Sequence, residues 1–214
     1  MEAEILKNLG NSILEFDPFA AEIWAKKAIE ENVDPLRALA ALTDSIRTVG
    51  DLFEKGEYFL PELVTAADVL QRAVPILEAR IRETGGHRES VGTVVIGTVF
   101  GDIHSIGKTM VSTLLSANGF QVVDLGVNAP AEKFIRAVKD NNANLVAMSA
   151  LMTMTITEQR KVIECFEKEG IRDRVKVMVG GSAITSQIAK DMGADGYEAT
   201  APGAVRLARE LVGK

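Results

Sequence analysis

The 214-residue chain has one cysteine, Cys165, one tryptophan, Trp24, and two histidines, His87 and His104. A single thiol excludes an intrachain disulfide, and so few sulfur and imidazole groups leave a tetrahedral zinc site short of ligands. Basic residues are also scarce: 24 Lys and Arg stand against 30 Asp and Glu, a net charge of −6. That balance argues against broad binding to nucleic acid or anionic membranes. No apolar run approaches the roughly 20 residues of a membrane span. The start, Met-Glu-Ala-Glu-Ile-Leu-Lys, lacks the basic and apolar regions of a signal peptide. These absences lead us to expect a cytosolic protein. An apolar fraction of 47% is ample for a core, and the length allows one or two domains.

The hydrophobic pattern changes near residue 83. Residues 1–82 read as helices only: Ile5, Leu6, Leu9, Ile13 and Leu14 recur at helical spacing, as do Leu36, Leu39, Leu42, Ile46, Val49 and Phe53. Asp17-Pro18 and Asp34-Pro35 each combine a capping carboxylate with proline at the first helical position. Ile23, Trp24, Ala28 and Ile29 form the stripe of the second helix, with Trp24 expected as the core anchor. Gly56 breaks the third helix, and a fourth runs from Pro61 with Pro75 inside it. Four helices with short connections give a small bundle.

Residues 83–91, polar and glycine-bearing, read as a linker and a plausible hinge. From 92 to 214, short apolar strands (93–99, 121–125, 144–149, 175–179, 194–197) alternate with helices (106–118, 130–140, 156–169, 184–192, 202–213). Five such units predict a flavodoxin-like, doubly wound parallel sheet, so the fold class is α + α/β.

The chemistry-bearing stretch is Gly101-Asp102-Ile103-His104-Ser105-Ile106-Gly107, which follows the first strand and opens a helix. In an open α/β sheet ligands bind at that edge. A histidine with a carboxylate two residues before it has the makings of a metal ligand whose second nitrogen is held. With no other ligand nearby, a metal already held by a macrocycle fits best. Gly107-Lys108-Thr109 imitates the end of a P-loop, but Asp102 stands where glycine belongs and would oppose phosphate. The spacing of Gly97, Gly101 and Gly107 is not that of a dinucleotide fingerprint. The third strand ends in Ser149-Ala150-Leu151-Met152-Thr153-Met154-Thr155, where the plain reading of Thr155 is a helix cap, and the fourth ends in Gly180-Gly181. Met148, Met152, Met154 and Met178 read as core or pocket lining, and Cys165 as a packed small residue.

Together, Asp102-x-His104-x-x-Gly107, Ser149-x-Leu151 and Gly180-Gly181 resemble the signature of the cobalamin-binding domains of methionine synthase and corrinoid proteins. The stretch from Val49 to Leu63 resembles the same family's helical cap, and Gly193-Ala194-Asp195-Gly196-Tyr197 its last strand. The chain is most similar to the free-standing corrinoid proteins of methanol, methylamine, betaine and methoxy-aromatic methyltransferase systems. The resemblance implies that residues 1–82 are a cap domain and 92–214 the cobalamin domain. It implies His104 as the lower axial ligand of cobalt, Asp102 as the hydrogen-bond partner of its other nitrogen, and Thr155 as the hydroxyl completing a relay. Gly101, Ile103, Ser105, Ile106, Gly107 and Leu151 would lie against the cofactor, Ser149 and Thr153 would contact its nucleotide tail, Gly180 and Gly181 would admit that tail, and Ala201 would line the slot's far end. Phe53 and Leu60 would cover the upper face of the corrin. Ser105 departs from the acidic residue common after the family's histidine, and Asp44-Ser45-Ile46 from a frequent Pro-Gly-Met in the cap.

The function implied is methyl carriage: cob(I)alamin accepts a methyl group from a substrate-specific methyltransferase, holds it as methylcobalamin, and yields it to a second methyltransferase. A reductive activation protein is a further expected partner. The chain alone is not expected to be a self-sufficient enzyme. Three other readings share part of the pattern. They are the cobalamin subunit of an adenosylcobalamin mutase, a cobalamin-dependent sensor, and a plain flavodoxin-like protein binding flavin or phosphate.

Overall fold

The computed structural model describes residues 1–83 and 90–213. The predicted linker and hinge lie for the most part outside the described residues. The chain divides into two compact units, Met1–Glu89 and Ser90–Lys214.

The first unit is four helices: α1 (Glu2–Leu14), α2 (Pro18–Glu30), α3 (Pro35–Glu54) and α4 (Leu60–Glu83). Local chemistry sets their starts. The Asp17 carboxylate accepts from the amides of Phe19 and Ala20, and Asp34 accepts from Leu36, each with proline in the first turn. Glu62 reaches back to the Phe59 amide at 2.9 Å, half of a capping box for α4. The helix continues through Pro75. Ile5, Leu9, Ile13, Leu42, Ile46, Leu63 and Leu77 form the core. A Cβ added to Gly10 would stand 2.7 Å from the Ser45 hydroxyl, so the small residue at 45, a departure from the family pattern, meets a glycine on α1.

The second helix corrects the sequence reading. Its buried face is Ala21, Ala25 and Ala28, while Ile23 is 63% exposed and Trp24 only half-buried beneath the Lys27 ammonium. Alanines let α2 approach α1 and α4 closely, and an indole on that face would hold the helices apart. Leu36 also leaves its predicted stripe for solvent.

The second unit alternates β1 (Thr93–Thr98), α5 (Ile106–Ala117), β2 (Gln121–Asp124), α6 (Ala131–Asn141), β3 (Leu145–Ser149), α7 (Ile156–Lys168), β4 (Lys176–Gly180), α8 (Ser186–Asp191), β5 (Gly196–Tyr197) and α9 (Ala201–Leu211). All strands are parallel, in the order β2-β1-β3-β4-β5. Phe134 of α6, Val162, Ile163 and Phe166 of α7, and Ile184 and Met192 flanking α8 pack with Val95, Val146, Val177 and Val179 in one core, and α5 packs with α9. The fold class read from the sequence is the one observed. The order reverses between β1 and β3, so the loops leaving these two strands diverge from a shared crevice, the position where open sheets bind ligands.

Candidate functional site

The crevice is built around one buried carboxylate. After β1 the chain makes a tight turn in which Gly101 adopts φ +79°, and the Asp102 amide bonds back to the Val99 carbonyl at 3.2 Å. This turn drives the Asp102 side chain into the crevice, where it is fully buried. One carboxylate oxygen accepts from the His104 amide at 3.0 Å and from His104 Nδ1 at 2.7 Å. The other accepts from the Leu151 amide at 2.8 Å, the Met152 amide at 3.4 Å and the Thr155 hydroxyl at 2.8 Å.

Burial alone would push the Asp102 carboxyl up. The donors, led by the His104 and Leu151 amides and followed by the imidazole and the Thr155 hydroxyl, outweigh it and hold the group well below the usual carboxylate range. Asp102 is therefore an anion, to which Nδ1 of His104 donates, and Nε2 is the ring nitrogen left without a fixed partner on the carboxylate side. The His104 side chain is 49% exposed, and the Thr98 hydroxyl donates to its carbonyl at 2.9 Å. One imidazole nitrogen is thus fixed from within and the other is presented outward.

Thr155 differs from the plain reading of it as a cap. It lies on a single 3-10 turn, Thr153–Thr155, and makes no capping bond to α7. Its hydroxyl has one proton and two acceptors in reach, Asp102 and the Met152 carbonyl at 2.9 Å, and the charged one is the stronger.

The other expected site residues take these places. Ile103, Ser105, Ile106 and Gly107 are exposed beside His104, and Leu151 is exposed across the crevice. Ser149 closes β3, in register with Thr98 of β1 and Gly180 of β4. A Cβ on Gly181, whose φ is +129°, would run into the Ala150 carbonyl, so only glycine fits where these loops touch. Thr153 is exposed on the 3-10 turn, and Ala201 is buried in the first turn of α9. Phe53, half-buried, and Leu60, exposed, belong to the first unit. Met148 and Met178 are core residues, Met152 and Met154 are exposed at the crevice edge rather than in the core, and Cys165 is only half-buried, which corrects its reading as a packed residue.

Sequence reasoning missed several residues that shape the crevice. Asn128, in the loop after β2, accepts from the Gly101 amide through Oδ1 at 2.8 Å and donates its own amide to the Asp102 carbonyl at 2.9 Å. Lys108, read as an ordinary residue of the first helical turn, is buried in an ion pair with Asp124. The fully buried Gln159 donates to the Met148 and Gly180 carbonyls and ties the ends of β3 and β4. Asparagine before Ala-Pro in a glycine-bearing loop was the one available signal, since asparagine tolerates positive φ.

Every large exposed apolar side chain among the described residues of this unit lies on the sheet's carboxyl edge: Phe100, Ile103, Ile106, Val127, Leu151, Met152 and Met154. A water-facing apolar platform of this kind marks a binding surface. No group of three or more His, Cys, Asp or Glu among the described residues could hold a metal ion. A single outward imidazole on an apolar platform fits a metal that arrives inside a flat, largely apolar macrocycle.

Comparisons with known proteins agree with that chemistry. Residues 92–206 match the B12 binding domain, and residues 5–78 match a second family, also described as a B12 binding domain. The dimethylamine corrinoid protein 2 of Methanosarcina mazei is 41% identical over 98% of this chain and 97% of its own length. The trimethylamine corrinoid protein 1 of Methanosarcina acetivorans is 37% identical over 98% of this chain and 97% of its own. Among solved structures, the methanol:cobalamin methyltransferase complex of Methanosarcina barkeri contains a chain of 29% identity that superposes with TM-score 0.86 over 98% of this chain and 80% of that one. With an outward histidine held by a buried aspartate and family matches across both units, the chain belongs to the B12-binding corrinoid proteins.

Proposed function

We propose that this protein is a methyl carrier that binds cobalamin on the carboxyl edge of its sheet and serves partner methyltransferases. The observation that carries the reading is the Asp102–His104 pair: an imidazole locked at Nδ1, free at Nε2, and set among exposed apolar side chains. When bound, cobalamin supplies a cobalt centre that takes up a methyl group and gives it up again. The protein's part is to supply and tune one ligand. Asp102 fixes the tautomer and raises the basicity of Nε2, and Thr155 holds the carboxylate in turn. The buried Asp102 anion is held by its amide and hydroxyl donors whatever the imidazole carries.

Ile103, Ile106 and Leu151 would support the macrocycle, and Gly107, where an added Cβ would meet nothing within 4 Å, leaves room beside it. Ser149, Thr153, Gly180, Gly181 and Ala201 are the residues we assign to the nucleotide tail. Phe53 and Leu60 are assigned to the opposite face of the ring, and residues 1–82 to the cap.

Partner choice follows from what the site lacks. Its named groups include no thiolate or acid aimed at a methyl donor, so donor activation belongs to a substrate-specific methyltransferase and acceptor activation to a second one. The names of the relatives make a methylamine the first donor to test. A reductive activation protein is a third expected partner. No helix among the described residues is long and apolar enough to cross a membrane.

The test is reconstitution. Purified chain incubated with hydroxocobalamin and freed of excess should retain about one cobalt per chain. Once the bound cobalt has been reduced with Ti(III) citrate, it should demethylate dimethylamine only when a methylamine methyltransferase is added. Failure to retain cobalamin, or turnover by the chain alone, overturns the proposal.

A further inference from the structure

We infer that Asn128 is a positioning residue for the cobalt ligand, holding the His104 loop in its bent form before any cofactor arrives; the inference rests on the cobalamin reading above. The loop from Gly101 to Gly107 carries the ligand, yet Ile103, Ser105, Ile106 and Gly107 are all exposed, with Ile103 at 74%. Besides the Asp102 carboxylate, the Thr98 bond to the His104 carbonyl and the local turn bonds from the Asp102 amide to Val99 and from the Thr109 amide to Ser105, its shape is set from the segment after β2.

That segment is itself rigid. Its Gly126 amide bonds to Asp124, the Thr98 amide bonds to the Gly126 carbonyl at 3.0 Å, and the Ala129 amide returns to the Thr98 carbonyl at 3.0 Å. Val99 and Ala129 form a parallel bridge. From this frame two anchors reach the ligand loop. At its start, Asn128 makes a reciprocal pair: Oδ1 takes the Gly101 amide and the Asn128 amide gives to the Asp102 carbonyl. Beyond its end, Asp124 takes the buried Lys108 ammonium in the first turn of α5.

The chemistry of residue 128 is specific. Its φ is +52°, a conformation that asparagine tolerates and most side chains resist. Its carbonyl oxygen satisfies an amide that the Gly101 turn leaves without a backbone acceptor. Only a residue combining positive φ with a short acceptor does both. Preorganisation of this kind spares the cofactor the ordering of the loop and shows up as affinity and as ligand occupancy.

Two variants separate the roles. Asn128→Gly keeps the positive φ and the amide bond to Asp102 and removes only the acceptor for Gly101. Asn128→Asp keeps the acceptor. In the apoprotein, amide hydrogen exchange at Gly101 should accelerate at least severalfold in N128G and stay near wild type in N128D, with the Asp102 amide, bonded to Val99, as the internal control. In the loaded protein, N128G should bind hydroxocobalamin about fivefold more weakly, the worth of roughly one hydrogen bond. The reduced cob(II) form should show a smaller fraction with nitrogen superhyperfine splitting from His104 in its electron paramagnetic resonance spectrum. N128D should restore both. Unchanged Gly101 exchange, affinity and splitting in N128G would overturn the role of Asn128. A wild-type chain that binds no cobalamin would instead overturn the cobalamin reading, and the exchange measurement would still judge Asn128.

Discussion

Replacing Asp102 by asparagine changes one oxygen into an NH2 group and almost nothing in size. In the native crevice one carboxylate oxygen faces the His104 amide and Nδ1, and the other faces the Leu151 amide and the Thr155 hydroxyl. Asparagine has one acceptor for these two pairs. With its oxygen toward His104, its NH2 opposes the Leu151 amide, donor against donor, and the Thr155 proton must turn to the Met152 carbonyl. With the amide flipped, its NH2 opposes the His104 amide and forces the imidazole to accept at Nδ1. The ring proton then sits on Nε2, where the proposed ligand role would need a lone pair. Hydrogen bonds to a charged group are worth about 1.5–3 kcal/mol and a stranded buried donor costs about 1–3 kcal/mol. Because Thr155 has a second acceptor, the net loss should be about 3 kcal/mol, or a melting temperature lower by about 10 °C for a unit of this size.

The pH dependence has a definite sign. The folded-state pKa of Asp102 is depressed, so its contribution is complete above the unfolded carboxylate value of about 3.9 and is lost as pH falls below that toward the folded value. Calorimetry of the apoprotein should show a constant gap between wild type and D102N from neutral pH down to about pH 5, closing below about pH 4. A variant with native melting temperature, or a gap that persists unchanged into acid, would refute the reasoning.

Two further outcomes test the neighbours of that carboxylate. Thr155→Val removes the hydroxyl donor while filling similar space, and should cost about 1–2 kcal/mol in urea unfolding and shift the cob(II) nitrogen splitting, while Thr155→Ser restores both; equal behaviour of the two variants would deny the hydroxyl any role. Gly181→Ala places a Cβ against the Ala150 carbonyl at a φ of +129°, so the loops after β3 and β4 must part; stability should fall by about 2–3 kcal/mol, and hydroxocobalamin binding should weaken with it, whereas unchanged binding would remove Gly181 from the tail slot.

Much of this was legible because period and punctuation agree. Aspartate-proline pairs announced α2 and α3, the alternation of short apolar runs with helices announced the parallel sheet, and strand ends located the crevice. The failures share a cause. Trp24 was assigned to the core because it is large, but a helix flanked by two neighbours buries its smallest face, Ala21, Ala25 and Ala28. For Met154 the sequence left core and lining open because it is apolar, and the structure stands it at the exposed edge where this unit places its water-facing apolar groups. Asn128, Lys108 and Gln159 escaped notice because their roles are long-range hydrogen bonds and ion pairs, and no periodicity encodes which polar group lies across a crevice.

The arrangement of donors around Asp102 suits one imidazole to the ligand role proposed for it. All the fixed bonds converge on the carboxylate side of His104, and Nε2 alone is left to the outside. A ligand must be basic enough to bind and must release without leaving the site charged and unpaired. With Asp102 held ionised by four other donor groups besides Nδ1, the imidazole faces an anion whether or not Nε2 is engaged. Thr155 adds tolerance, because its hydroxyl keeps an acceptor in the Met152 carbonyl if the charge on the pair changes. The structure thus concentrates its order at Nδ1, two bonds away from the nitrogen proposed to bind.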